Sequence, residues 1–256
     1  MKKNLLLLLC LLISTLSMSQ ERDVYIIYIG NSITHGAQLA DATQEAPPVQ
    51  ASLWLQKQKG INGVKFSNQG SSGKTTVDFL PISQTYFPKV QLAADELKDD
   101  IRTKLIFSIM LGTNDSAIRG TNGSPVSPQQ YYTNMKAIID ELLTLYPNCQ
   151  IVLHRPIWYS PNTYNGAMYL KEGLLRLESY LPQLQNLVLY YATGKPNHVF
   201  MGDTEAFDYF KKNYLTDFNP EEGNAGTFYL HPNKKGAIKL GEYWGKAIYQ
   251  VILNTK

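Results

Sequence analysis

Apolar residues follow two alternating rhythms along this chain. Val24 to Gly30, VYIIYIG, is a continuous apolar and β-branched run, the pattern of a strand covered on both faces. GVKFSN (63–68), KLIFSIML (104–111), QIVLHRPI (150–157) and NLVLYY (186–191) read as four further strands. Between them the spacing becomes helical. Met135, Ile138, Ile139, Leu142 and Leu143 form one stripe, and Leu170, Leu174, Leu177 and Leu181 another. Leu240, Trp244, Ala247, Ile248 and Val251 mark a last helix entered after Pro232. Strands alternating with helices predict an α/β fold whose mostly parallel, five-stranded sheet is covered on both faces. No internal repeat, low-complexity tract or linker breaks the pattern, so residues 20–256 are read as a single domain.

The first residues, MKKNLLLLLCLLISTLSMSQ, belong to neither rhythm. Lys2 and Lys3 precede an apolar run from Leu5 to Ile13, and small residues follow at Ser17 and Ser19. This predicts a signal peptide over 1–19 and export to the periplasm or outside the cell, with no stable membrane insertion. Cys10 sits behind Leu9, where a lipidation site would carry a small residue. Removal of the leader leaves Cys149 alone, so no intrachain disulfide is expected, and Cys149 is read as a packed residue. Without Lys2 and Lys3, 22 basic residues face 21 acidic ones. The longest basic runs are the pairs Lys211-Lys212 and Lys234-Lys235, which argues against a nucleic-acid partner.

In a parallel sheet of this kind ligands bind at the carboxyl ends of the strands. Ser32 follows the first strand in GNSITHG, Gly70 the second in NQGSSG and Asn114 the third in GTND; His231 precedes the last helix in YLHPN. A serine, a histidine and two donors at one edge suit nucleophilic acyl transfer. Serine attacks, histidine takes its proton, and the donors hold the oxyanion. GSSGKTT (70–76) ends like a phosphate-binding P-loop, but only Ser71 and Ser72 separate its glycines where four residues are needed. No nucleotide or other cofactor is implied. His35, His154, His198 and His231 show no metal-ligand spacing, so no metal is implied either.

GNSIT, NQGSSG, GTND and HP resemble, in order, the four blocks of the SGNH (GDSL-type) hydrolase superfamily, with Asn31 where Asp is commoner. The resemblance implies a flavodoxin-like three-layer α/β/α sandwich. It makes Ser32 the nucleophile and His231 the base. The oxyanion hole would be the backbone N–H groups of Ser32 and Gly70 and the side chain of Asn114. The family's usual acid, three residues before the histidine, is replaced by Phe228. Three readings stay open. A main-chain carbonyl orients His231, which is slightly favoured; an acid among Asp217, Glu221 and Glu222 reaches it; or the protein binds sugar without catalysis.

FSIMLGTNDSA and LHRPIWYSPNTYN resemble bacterial sialate O-acetylesterases. This implies a small-molecule or glycan substrate, most specifically an O-acetylated sialic acid. The rivals are acetyl esters of other glycans such as xylan, and short-chain lipid or aryl esters. Arg155 and Arg119 are candidates to grip a sugar carboxylate. Trp158, Tyr159 and Tyr164 are candidate faces for the ring, and His35 a rim residue. His154 is expected to pack beneath the site, and Lys74 to stand at a solvated helix start, with a rim position near an anionic substrate as the alternative.

Overall fold

The computed structural model describes residues 22–96, 100 and 102–255; the expected signal peptide lies outside them. In chain order the elements are β1 (Arg22–Gly30), α1 (Ser32–His35), α2 (Ala42–Glu45), α3 (Pro47–Leu55), β2 (Ile61–Gly70), α4 (Phe87–Asp95), β3 (Thr103–Met110), α5 (Pro128–Leu145) and β4 (Gln150–Leu153). Then come α6 (Leu170–Glu178), α7 (Tyr180–Gly194), β5 (Val199–Met201), α8 (Ala206–Asp217), β6 (Phe218–Gly223), β7 (Gly226–Pro232) and α9 (Lys234–Asn254).

Five strands form one parallel sheet in the order β2-β1-β3-β4-β5. The interior strand β1, paired on both sides, is buried from Val24 to Gly30, as its unbroken apolar run requires. Tyr25 and Tyr28 lie three residues apart and so point to opposite faces. The Tyr25 hydroxyl donates to Ala93 O of α4 at 3.0 Å. Tyr28 stacks on Trp244 of α9 and meets Ser52 of α3 at 3.2 Å. Helices therefore cover both faces, giving the three layers expected. The chain leaves β1 for β2 on one side and returns to β3 on the other. That reversal opens a crevice at the carboxyl ends of β1 and β3.

Two expectations need correction. NLVLYY is not a strand but lies inside α7, where Leu184, Leu187 and Tyr191 are buried at helical spacing. The fifth strand is the three-residue VFM of β5, too short to leave a periodic signal. Pro232 closes β7 rather than opening the last helix. Asn233 caps α9 instead, its side chain accepting from Gly236 N. Sequence reading also missed the antiparallel hairpin of β6 and β7. Cys149 is buried, and burial pushes its thiol up to about 12.

Candidate active site

Ser32 is placed by the end of β1. Asn31 caps the short helix α1 by accepting from Ile33 N, so Ser32 is its first residue. The Ser32 N–H is then one of the orphan donors of a helix start and has no partner among the described residues. The Ser32 hydroxyl lies 2.8 Å from Nε2 of His231, which the last residues of β7 deliver to the same edge. Both residues are buried, at 9% and 7% exposure.

On its other side, His231 Nδ1 faces Glu221, 2.9 Å from Oε1 and 3.0 Å from Oε2. The backbone N–H of His231 also donates to Glu221 Oε1 at 3.2 Å. A carboxylate on Nδ1 puts the ring hydrogen there and leaves Nε2 to accept from serine. The orienting group is thus an acid and not the main-chain carbonyl favoured from sequence. It comes from β6, whose Glu221 pairs directly with Phe228 of β7. Cross-strand partners share a face, so the acid missing at 228 is supplied by its neighbour on the same rung. The other two candidates are engaged elsewhere. Asp217 accepts from Tyr209 and Thr216 and pairs with Lys235 at 2.6 Å; Glu222 is exposed and accepts from Thr227.

The oxyanion donors also need a correction. The Gly70 N–H is already used, donating to Asn68 Oδ1 at 2.9 Å. Gly70 is glycine for another reason: a Cβ there would lie 2.3 Å from His35 N. Gly73 borders the cavity with Ser32, Asn114 and His231, and its N–H has no partner among the described residues. Its φ of +76° lies in the left-handed region that favours glycine. The need for such a residue in the SSGK turn was the available signal. Asn114 is where the sequence put it, at the cavity edge after β3. Its Nδ2 donates to Lys74 O at 2.9 Å, and its Oδ1 accepts from Tyr169 at 2.7 Å.

The cavity holds about 540 Å³, and its other walls include Gln38, Ser72, Lys74, Asn122, Asn165 and Leu230. Lys74, expected at a solvated helix start or on the rim, borders the cavity, lies over the Tyr86 ring and is 3.8 Å from Asp78. The predicted substrate residues are largely elsewhere. Arg155 stacks on Phe207, 3.8 Å from the ring centroid, and turns to Thr204 O and Asp208. Trp158 is buried against Tyr214 and Phe218. Tyr159 is fully buried with its hydroxyl 2.8 Å from Ser116. Arg119 is exposed and donates to Tyr164 at 3.2 Å, and neither borders the cavity. His35 is exposed and also outside it.

His154 packs beneath the sheet edge as expected, 2.9 Å from Ser108 and over Trp244. Its Nδ1 accepts from Asp203 N, and burial lowers its pKa to about 3, so it stays neutral. His198 borders a different cavity and meets Cys149 O. Among the described residues no cluster of three metal-ligating side chains occurs, and no helix is long and apolar enough to cross a membrane.

A hydroxyl, an imidazole and a carboxylate in line, beside unpaired N–H groups in a crevice of a 2-1-3-4-5 sheet, have the geometry of acyl-transferring serine hydrolases. Residues 28–237 match the GDSL-like lipase/acylhydrolase family. The chain belongs to that family, whose members are carboxylic-ester hydrolases. Solved structures share the fold at low sequence identity. Est24, a carbohydrate acetylesterase from Sinorhizobium meliloti, is 17% identical with a TM-score of 0.59 over 90% of this chain and all of its own. A catalytic mutant of Axe2, an acetylxylan esterase from Geobacillus stearothermophilus, is 16% identical with a TM-score of 0.59, covering 93% and 98%. The native aryl esterase of M. smegmatis is 16% identical with a TM-score of 0.57, covering 89% and 99%. No curated protein matches the chain as a relative.

Proposed function

We propose that this protein is an exported serine O-acetylesterase acting on carbohydrate. The observation that carries the reading is the buried chain Ser32–His231–Glu221, with contacts of 2.8 Å and 2.9 Å. Ser32 Oγ attacks the acetyl carbonyl carbon as its proton passes to His231 Nε2. Glu221 holds the imidazole and stabilises its positive charge. The N–H groups of Ser32 and Gly73 and the Asn114 amide receive the negative oxygen. His231 then protonates the departing sugar oxygen, leaving acetyl-Ser32. Water, deprotonated by the same histidine, attacks that ester; acetate leaves and Ser32 regains its proton.

The cavity favours a polar alcohol. Gln38, Ser72, Asn122 and Asn165 offer hydrogen bonds, whereas Leu230, Ala37, Ala167 and Tyr169 supply the apolar surface, suited to a short acyl group. The finer reading is an O-acetylated sialic acid. It is supported by the resemblance of FSIMLGTNDSA and LHRPIWYSPNTYN to sialate O-acetylesterases. It no longer leans on Arg155 or Arg119; Lys74 is the cavity's remaining cation for a carboxylate. Export rests on the pattern of residues 1–19.

Acetate release from O-acetylated sialic acid, acetylated xylan and a p-nitrophenyl ester series tests this, with Ser32→Ala as control. The expected result is Ser32-dependent release, fastest for acetyl and fastest on the sialic acid. Equal rates across acyl lengths would sink the acetyl reading, and preference for xylan the sialate one. A fully active Ser32→Ala would remove the nucleophile. Asn114→Ala should lower turnover by roughly 10² to 10³.

A further inference from the structure

An asparagine side chain is a movable donor. It turns about two torsions, and its amide can be exchanged end for end. An oxyanion donor works well only when aimed in advance. In this protein the aim of Asn114 is set by two groups from different parts of the chain. A carbonyl only accepts, so Lys74 O at 2.9 Å fixes which end of the amide carries hydrogens. Oδ1 therefore faces the Tyr169 hydroxyl, 2.7 Å away, which must donate. The second hydrogen on Nδ2 has no partner among the described residues, and Asn114 borders the cavity beside Ser32.

We infer that Tyr169 is a positioning residue for the oxyanion hole, its hydroxyl locking the Asn114 amide so that the free N–H meets the developing oxyanion; this rests on the esterase reading above. Tyr169 is itself held firmly. It is 3% exposed, and Tyr159 meets its ring edge-on at 5.4 Å. Its N–H donates to Thr163 O, and the adjoining Met168 is bridged to Arg119. Burial, together with the carboxylates of Asp115 and Glu221, raises the phenol's pKa, so it keeps the proton it donates. The clamp thus joins the loop after β3 to the segment before α6. No local motif announces it, because 55 residues separate the partners.

Tyr169→Phe keeps the ring and removes only the donor. On p-nitrophenyl acetate, with the full chain, kcat should fall about tenfold or more with KM unchanged within about twofold. In an Asn114→Ala background the same change should have no effect, because the amide it positions is gone. Wild-type kcat in Tyr169→Phe would overturn the inference. So would a raised KM at constant kcat, which marks direct substrate contact, or losses that multiply in the double variant, which mark a general structural effect. A wild type without Ser32-dependent turnover would instead defeat the esterase reading. In that case the Asn114 side-chain amide protons decide the clamp by NMR. Exchange protection that drops in Tyr169→Phe supports it, and unchanged protection overturns it.

Discussion

Replacing Glu221 by glutamine tests the least expected part of the site while nearly preserving its shape. Both the backbone N–H and Nδ1 of His231 lie within 3.2 Å of Oε1. A glutamine carbonyl can accept both, so the imidazole keeps its tautomer and its aim. What is lost is the negative charge facing the imidazolium formed on serine attack. At about 4 Å between charge centres and an effective dielectric constant of about 20, that attraction is about 4 kcal/mol. The Glu221 side chain is 12% exposed, so solvent screens it little. A loss of that size in the transition state is about 10³ in kcat. It stays below the ~10⁴ seen in a Ser-His-Asp template when the tautomer is also wrong. The assay is p-nitrophenyl acetate hydrolysis by wild type and Glu221→Gln, with Glu222→Gln, which should stay within about twofold of wild type. If Glu221→Gln retained kcat within about threefold, the carboxylate would not be stabilising the imidazolium, and the argument from its distances would fail.

Gly70→Ala and Gly73→Ala should fail in different ways. The first forces a Cβ into the α1 backbone and should lower Tm sharply. The second has open space but a left-handed φ, so it should cost about 1–2 kcal/mol of stability and at least about tenfold in kcat; equal kcat in Gly73→Ala and wild type would remove that donor. Arg155→Ala should leave KM unchanged, because the guanidinium lies on Phe207 outside the cavity; a raised KM would restore it as a ligand. Burial raises the Asp115 carboxyl from 3.8 to about 6. A folded value above the unfolded one makes stability fall as pH rises through that window, by up to about 3 kcal/mol. Asp203, raised to about 6 as well, adds the same slope. Asp115→Asn should therefore flatten, without abolishing, the decline of Tm between pH 4 and 6, and an unchanged decline would refute the assignment. The Cys149 thiol should resist thiol reagents at pH 8 until denaturant is added; rapid labelling of the native protein would contradict its burial.

Ser32 and Asn114 were legible because each follows a strand whose apolar run is itself legible, and His231 because its HP pair stands just ahead of the last helix. Position at a strand's carboxyl end is a local property of the chain. Gly70 was misjudged because two glycines share one turn. Which N–H remains free depends on where the Asn68 side chain points, and spacing does not encode that. Arg155, Trp158 and Tyr159 have the chemistry of sugar ligands, yet they follow β4 into the interior. There a guanidinium on an aromatic ring and a hydrogen-bonded phenol serve packing equally well. NLVLYY misled for a simpler reason: a dense apolar run suits a strand or a buried helix, and its length does not arbitrate.

By itself the sequence determined the α/β alternation, the first strand buried on both faces, the edge at which chemistry gathers, and the serine, amide and histidine that gather there. These follow from periodicity and from residues next to one another in the chain. The tertiary structure alone decided that Glu221 faces His231 Nδ1, that the Gly70 N–H is taken and that of Gly73 is not, and that Tyr169 donates to Asn114. Each depends on cross-strand register or on which hydrogen bonds are already satisfied. Those are set when distant segments meet, and the same residue types in the same order are compatible with several outcomes until they do.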